Sequence, residues 1–244
     1  VAFTLGDALS DAWRGNAEVG FPQKLDRLRT IGGLYSNYIQ IVASKESGIK
    51  TLADLRGKRI SVGAPRSGTE VNARAIFMAA GLGYAGPQNM GTVFSQVQFL
   101  PFGQSVDLIK NRQLDATLIS AGLGVAAIRD VATTTDIVIV AIPADVIAKI
   151  GDPAYQPATM PANTYKGQDT AVDTIQIKNF LVTSERVPAD AVYTMTKAMF
   201  DNLDRMVASA AAARGIDAAT AFQNPPVPLH PGAERYYRER GLLK

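Results

Sequence analysis

The feature that most constrains this chain is the regular exchange of short β-branched runs and helical patterns between Ile60 and Ala141, with glycine at the joints. Ile60–Gly63 reads as a strand, and a loop from Gly63 to Thr69 leads into a helix that runs to Ala80. Gly81 follows where a left-handed C-terminal cap is wanted. Val71, Ala75, Met78 and Leu82 recur at helical spacing and predict its apolar face. Val97–Phe102, Asp115–Ile119 and Asp136–Ala141 read as strands, separated by helices near Ser105–Asn111 and from Gly122-Leu-Gly124 to about Val131. Strand–helix–strand units of this kind build doubly wound α/β domains with mostly parallel strands.

On the amino-terminal side, Val1–Asp7 predicts a buried strand turning into the helix Leu9–Arg14, which Gly15-Asn16 ends. Leu28–Gln40 leads into the strand Tyr38–Ala43, and residues 45–59 read as a short capped helical turn closed by Gly57. After Pro143 the pattern changes. Residues 151–168 predict a long surface loop, Thr174–Thr183 a strand, and Pro188–Arg214 one long helix with Gly215 at its end. The tail Pro225–Lys244 is proline-rich and closes on a short helix carrying Glu234–Glu239. Because the chain opens inside an element, the expectation is that its natural start lies upstream.

Several function classes are set aside by composition. The longest apolar runs, such as Asp136–Pro143, fall far short of a membrane span, which needs roughly 20 residues. Lys and Arg number 25 against 22 Asp and Glu, dispersed rather than striped, so nucleic-acid binding is not indicated. There is no cysteine, which removes disulfides, thiolate metal sites and cysteine nucleophiles. The one histidine, His230, lies in the turn-prone Pro228–Gly232, so a Ser–His–Asp triad would have to use it. No catalytic residue, metal or organic cofactor is expected.

Two strand-to-helix junctions are candidate binding sites. In Gly63-Ala-Pro-Arg-Ser-Gly-Thr-Glu70, the helix start offers unpaired amides and the positive end of the helix dipole to an anion. Ser67 and Thr69 add hydroxyls there, and Gly68 permits close approach. The same residues fit a capping box, with Ser67 and Glu70 each satisfying the other's backbone, and the two readings can coexist. The motif is neither a P-loop nor a dinucleotide fingerprint. Ser120-Ala-Gly122-Leu-Gly124 is the second junction, open to a ligand reading and to that of an ordinary glycine turn. Both lie at carboxyl ends of strands, where open α/β sheets bind ligands. Tyr35 and Tyr38 each admit a ligand or a core reading.

Lys50–Gly63 together with Leu108–Ala116 resembles a class II periplasmic binding protein. Gly63–Arg74, Asn163–Asp169 and His230–Tyr237 narrow the resemblance to the TAXI family, the solute receptors of TRAP transporters, over essentially the whole chain. The resemblance implies a two-lobed Venus-flytrap fold. Domain I would be residues 1–43 and 141–244, domain II residues 44–140, with hinge strands near 39–43 and 136–141. It also implies an exported, periplasmic monomer, its signal peptide removed, that captures a small carboxylate such as glutamate or 2-oxoglutarate and delivers it to a TRAP permease. Two departures stand out. The Gly-rich opening strand and loop of the family is absent, so the first strands of domain I are expected to be missing. Of the family's Gln-x-Asp, only Asp7 carries over, as a ligand-binding candidate. The competing readings are an enzyme on the same two-lobed fold and the effector lobe of a transcription regulator.

Overall fold

The structure is a computed structural model, and it describes residues 1–83 and 93–244. In chain order the elements are β1 (Ala2–Leu5), α1 (Gly6–Arg14), β2 (Leu28–Ser44), β3 (Arg59–Ser61), α2 (Gly68–Ala79), β4 (Gln96–Gln98), α3 (Phe102–Lys110), β5 (Ala116–Ala121) and α4 (Ala126–Thr134). There follow β6 (Ile137–Val140), α5 (Ala144–Ile150), β7 (Gln156–Met160), β8 (Val172–Ser184), α6 (Ala189–Asp201), α7 (Leu203–Ser209) and α8 (Pro231–Glu239). This is an α/β chain in two compact units. Unit 1 is Val1–Ser36 with Ile177–Lys244, and unit 2 is Asn37–Gln176. The two long strands β2 and β8 carry the chain from one unit to the other.

The sequence reading drew its boundaries at 43 and 140, whereas the compact units change over at 36 and 176. Residues 141–176 belong to unit 2 through definite bonds. The Thr174 hydroxyl donates to the Ile39 carbonyl, and the Tyr165 hydroxyl donates to Gln40 Oε1. Within the stretch expected to be a loop, residues 156–160 form β7 against the first half of β8.

In unit 2 the sheet order is β4-β3-β5-β2-β6. The expectation of a mostly parallel sheet needs correction. Among the described residues, the parallel ladders of this sheet involve β3, which pairs with β4 and β5, while β2 runs antiparallel to both β5 and β6. The strands β3 to β6 do share one direction, as βαβ units require. The crossing strand β2 enters the sheet from the other end, and period-two patterning carries no information about direction. Ile119, Ile128, Val131, Ile137 and Met160 pack into the core of this unit.

Helix α2 also buries a different face from the Val71, Ala75 and Met78 side that its apolar spacing predicts, while Leu82, just beyond its end, is buried as that spacing expects. Met78 is 52% exposed, and the buried side is Thr69, Glu70, Asn72, Ala73, Ile76 and Phe77. Polar residues conceal that face. Glu70 forms an ion pair with Arg74 at 3.3 Å, and Asn72 donates to the Tyr155 hydroxyl at 3.1 Å.

In unit 1, β1 pairs antiparallel with β8, and α1 packs its Leu9 into a cluster with Phe180, Val182 and Val227. The single helix expected over 188–214 is broken into α6, α7 and a 3-10 turn at Ala211–Gly215. Asn202 marks the first break, with its side-chain amide donating to the Ala198 carbonyl at 2.8 Å. Such local bonds compete with the helix ladder. Helix α8 has a well-specified start. His230 caps it by accepting from the Gly232 amide at 3.1 Å, and Pro231 occupies the first turn, where no amide donor is needed. Burial lowers the His230 pKa, which keeps the ring neutral and its Nδ1 available as the cap acceptor. Tyr237 is fully buried and donates to the Ile31 carbonyl at 3.0 Å, while Tyr236 stacks on Phe200 with centroids 5.6 Å apart.

Candidate functional site

The carboxyl end of β3 lies beside the start of β5, because Ser61 is in register with Thr117 and their hydroxyls are bonded at 2.6 Å. The chain leaves β3 through Gly63, whose φ of 90° lies outside the range of ordinary side chains. Its missing side chain admits Thr69: a Cβ there would meet Thr69 Cβ at 2.7 Å and Cγ2 at 2.8 Å. So Gly63 lets the start of α2 descend onto the strand end. Arg66, exposed in this loop, also holds a left-handed φ of 60°.

At that helix start Ser67 is the N-cap, its hydroxyl accepting from the Glu70 amide at 3.2 Å. The Ser67 amide already donates to Ala64 O at 3.1 Å, and the Glu70 carboxylate pairs with Arg74, so Ser67 supplies the cap. The amides of Gly68 and Thr69 and the Thr69 hydroxyl have no partner among the described residues. A helix start with free donors at the end of a parallel strand attracts an anion.

The second junction is already occupied. The Gly124 and Val125 amides, which precede α4, donate to the Tyr165 hydroxyl at 3.0 and 3.3 Å. That hydroxyl in turn donates to Gln40 Oε1, and Gln40 Nε2 donates to the Ala121 carbonyl at 3.0 Å. Burial pushes the Tyr165 pKa up to about 12, so it remains a neutral donor. Ser120 is buried, with its carbonyl accepting from Asn37 Nδ2 at 3.1 Å, and Gly122 is half-buried in the loop. Tyr38 is half-buried directly across from Ala121. Within unit 2, then, Tyr38 and Ser120–Gly122 share one strand end, and Ser67–Thr69 sit on the end of β3, two strands from β2.

Two sequence candidates lie in unit 1. Asp7 is buried in the first turn of α1, with Oδ1 accepting from the Ala8 amide at 2.8 Å. Tyr35 is half-buried and packs its Cβ on Gly215 at the margin of the core formed by Ile31, Leu34 and Tyr237. Its carbonyl accepts from Asn179 Nδ2 at 3.0 Å.

The profile of the NMT1-like family matches residues 1–241. The chain belongs to the NMT1-like family. Among solved structures, this NMT1-like chain is similar to one described as a periplasmic transporter, with 13% identity, a TM-score of 0.49, and coverage of 98% of this chain and 73% of that one. It is also similar to Tv2483 bound to L-arginine, with 13% identity, a TM-score of 0.40, and coverage of 77% and 57%. A third is an ABC uptake transporter substrate-binding protein from Streptococcus pneumoniae with bound histidine, with 14% identity, a TM-score of 0.39, and coverage of 75% and 58%. The NMT1-like chain thus spans somewhat more than half the length of these last two proteins.

The residues missed by sequence reasoning in this NMT1-like chain are Gln40, Asn37 and Tyr165. Tyr165 does fall inside the ordered motif Asn163–Asp169, which was the available signal. Its hydroxyl reaches 40 residues or more along the chain, a pairing only the fold can make. Replacing Tyr165 by Phe is expected to cost about 1–3 kcal/mol, because two amides and one buried amide oxygen lose their partner. Hydrogen exchange at Gly124 and Val125 should accelerate together with a lower urea midpoint. Wild-type exchange at both amides would refute the clamp.

Proposed function

We propose that this chain is a solute-binding receptor of the extracytoplasmic space, of the TAXI type. It captures a small organic acid such as glutamate or 2-oxoglutarate and hands it to a TRAP membrane permease. The observation that carries this reading is the start of α2 in unit 2, where the Gly68 and Thr69 amides and the Thr69 hydroxyl stand without partners among the described residues at the end of β3. A carboxylate matches that donor set in charge and in number of acceptors. Binding without chemistry is favoured over catalysis by the state of His230. It is 1% exposed, and its Nδ1 is engaged in capping α8. The junction before α4 contributes shape rather than a pair of free amides, since Tyr165 holds those of Gly124 and Val125.

Replacing Thr69 by Val tests the assignment. Valine keeps the methyl that rests on Gly63 and removes only the hydroxyl. A hydrogen bond to a charged group is worth about 1.5–3 kcal/mol, so affinity should fall roughly ten- to a hundredfold with the melting temperature nearly unchanged. Calorimetric titration would use 2-oxoglutarate and L-glutamate, with L-arginine and L-histidine, ligands of the similar structures, as the contrasting pair. Binding of neither acid sinks the functional reading. Equal affinity in wild type and Thr69→Val removes α2 as the site.

A further inference from the structure

We propose that Lys178 is a carboxylate-binding residue of unit 1, an ammonium lying across a bare glycine with only a backbone carbonyl for company. Lys178 belongs to the part of β8 that lies in unit 1, and it is half-buried. Its side chain lies flat on Gly33: a Cβ at that glycine would meet Lys178 Cε at 2.5 Å and Nζ at 2.9 Å. Gly33 is held in place by its amide, which donates to the Ala221 carbonyl at 2.6 Å. The ammonium donates to the Thr220 carbonyl at 3.3 Å. An ammonium carries three donors, and one long bond to a carbonyl leaves the others to solvent or a ligand.

Counter-charge is the element missing here. Lys178 takes part in no ion pair among the described residues, in contrast to Lys110, Lys149 and Lys197, which each contact an aspartate. Asp217 influences it only through space, and one Asp217 oxygen is engaged by the Ala219 amide at 2.9 Å. Burial holds the Lys178 pKa below the ordinary lysine value, the Asp217 charge opposing the effect. A half-buried cation of this kind is costly unless something pairs with it, and perturbed groups of this kind concentrate at binding sites. A carboxylate is the complementary class. The alternative role, an aliphatic stem that merely covers Gly33, would need the methylenes and not the charge.

The inference rests on the reading of this chain as a receptor for small organic acids, and its test separates the two. The Lys178→Met variant keeps the stem and removes the ammonium. Two measurements are made on the intact chain. In the first, sodium acetate is titrated into wild-type protein while the lysine side-chain 15N resonances are followed. Lys178 should shift saturably, whereas the exposed Lys24 and Lys50 drift without saturating. In the second, 2-oxoglutarate is titrated calorimetrically into wild type and Lys178→Met. Affinity should fall roughly ten- to a hundredfold in the variant, with no loss of melting temperature. If acetate saturates Lys178 but no acid binds tightly, the subsite stands and the solute assignment fails. If acetate leaves Lys178 unmoved, or Lys178→Met binds 2-oxoglutarate as wild type does, the proposal is overturned.

Discussion

Gly232→Ala is expected to cost unit 1 about 3 kcal/mol, the upper part of the range for overpacking, because the clash is with backbone. A Cβ on Gly232 would fall inside any permitted separation from the Ala189 carbonyl oxygen and 2.8 Å from the Tyr193 amide nitrogen. Those atoms belong to the backbone of α6, so no side-chain rotation relieves the contact. Nor can α8 slide away. The His230 cap fixes its start, and Tyr236 and Tyr237 fix its buried face among Phe200, Val192 and Ile31. The φ of Gly232 is not left-handed, so the loss would come from the contact alone. Urea unfolding followed by a probe in unit 1 should show a clearly lower midpoint. A wild-type midpoint would mean that α6 and α8 do not pack this closely.

Gly63→Ala carries the second large effect, and it falls on the candidate site. Holding a non-glycine residue at this φ costs about 1–3 kcal/mol, and the contact with Thr69 adds about 1–3 kcal/mol more. Gly57 provides the control. It also has a left-handed φ, 73°, but a Cβ there meets nothing within 4 Å. The difference between Gly63→Ala and Gly57→Ala in denaturant midpoint therefore isolates the contact between β3 and the start of α2. Equal losses at the two glycines would show that Thr69 yields freely, and that the helix start is not held as rigidly as ligand capture requires. In the expected case, Gly63→Ala also weakens acid binding, because Gly68 and Thr69 shift together with the helix.

How much of this was legible beforehand differs between elements. Short strands and helices between Ile60 and Val140 follow from turn residues and β-branched runs, because both signals are local. The cap at Ser67 was legible for the same reason: a hydroxyl three residues before its amide partner is a matter of spacing along one helix. The buried face of α2 was not. Its burial depends on Arg74 pairing with Glu70 and on the Tyr155 hydroxyl accepting from Asn72, and Tyr155 comes from a segment that reads as loop. The break at Asn202 was hidden too, since a single asparagine within a strong helical pattern is a weak signal.

The sequence by itself determined the α/β class, the position of the glycine turns, the absence of cysteine chemistry and the anion-compatible start of α2, all properties of residues within a few positions of one another. Tertiary structure alone decided three further matters. It set β2 antiparallel between β5 and β6, and strand direction within a sheet depends on the path of the connecting chain. It brought the Tyr165 hydroxyl onto the amides before α4, closing the junction that the glycine pattern had left open. It laid Lys178 over Gly33 with no acid in contact among the described residues. Each depends on pairing across long stretches of chain, and a side chain's partner at such separation is fixed by packing, not by spacing.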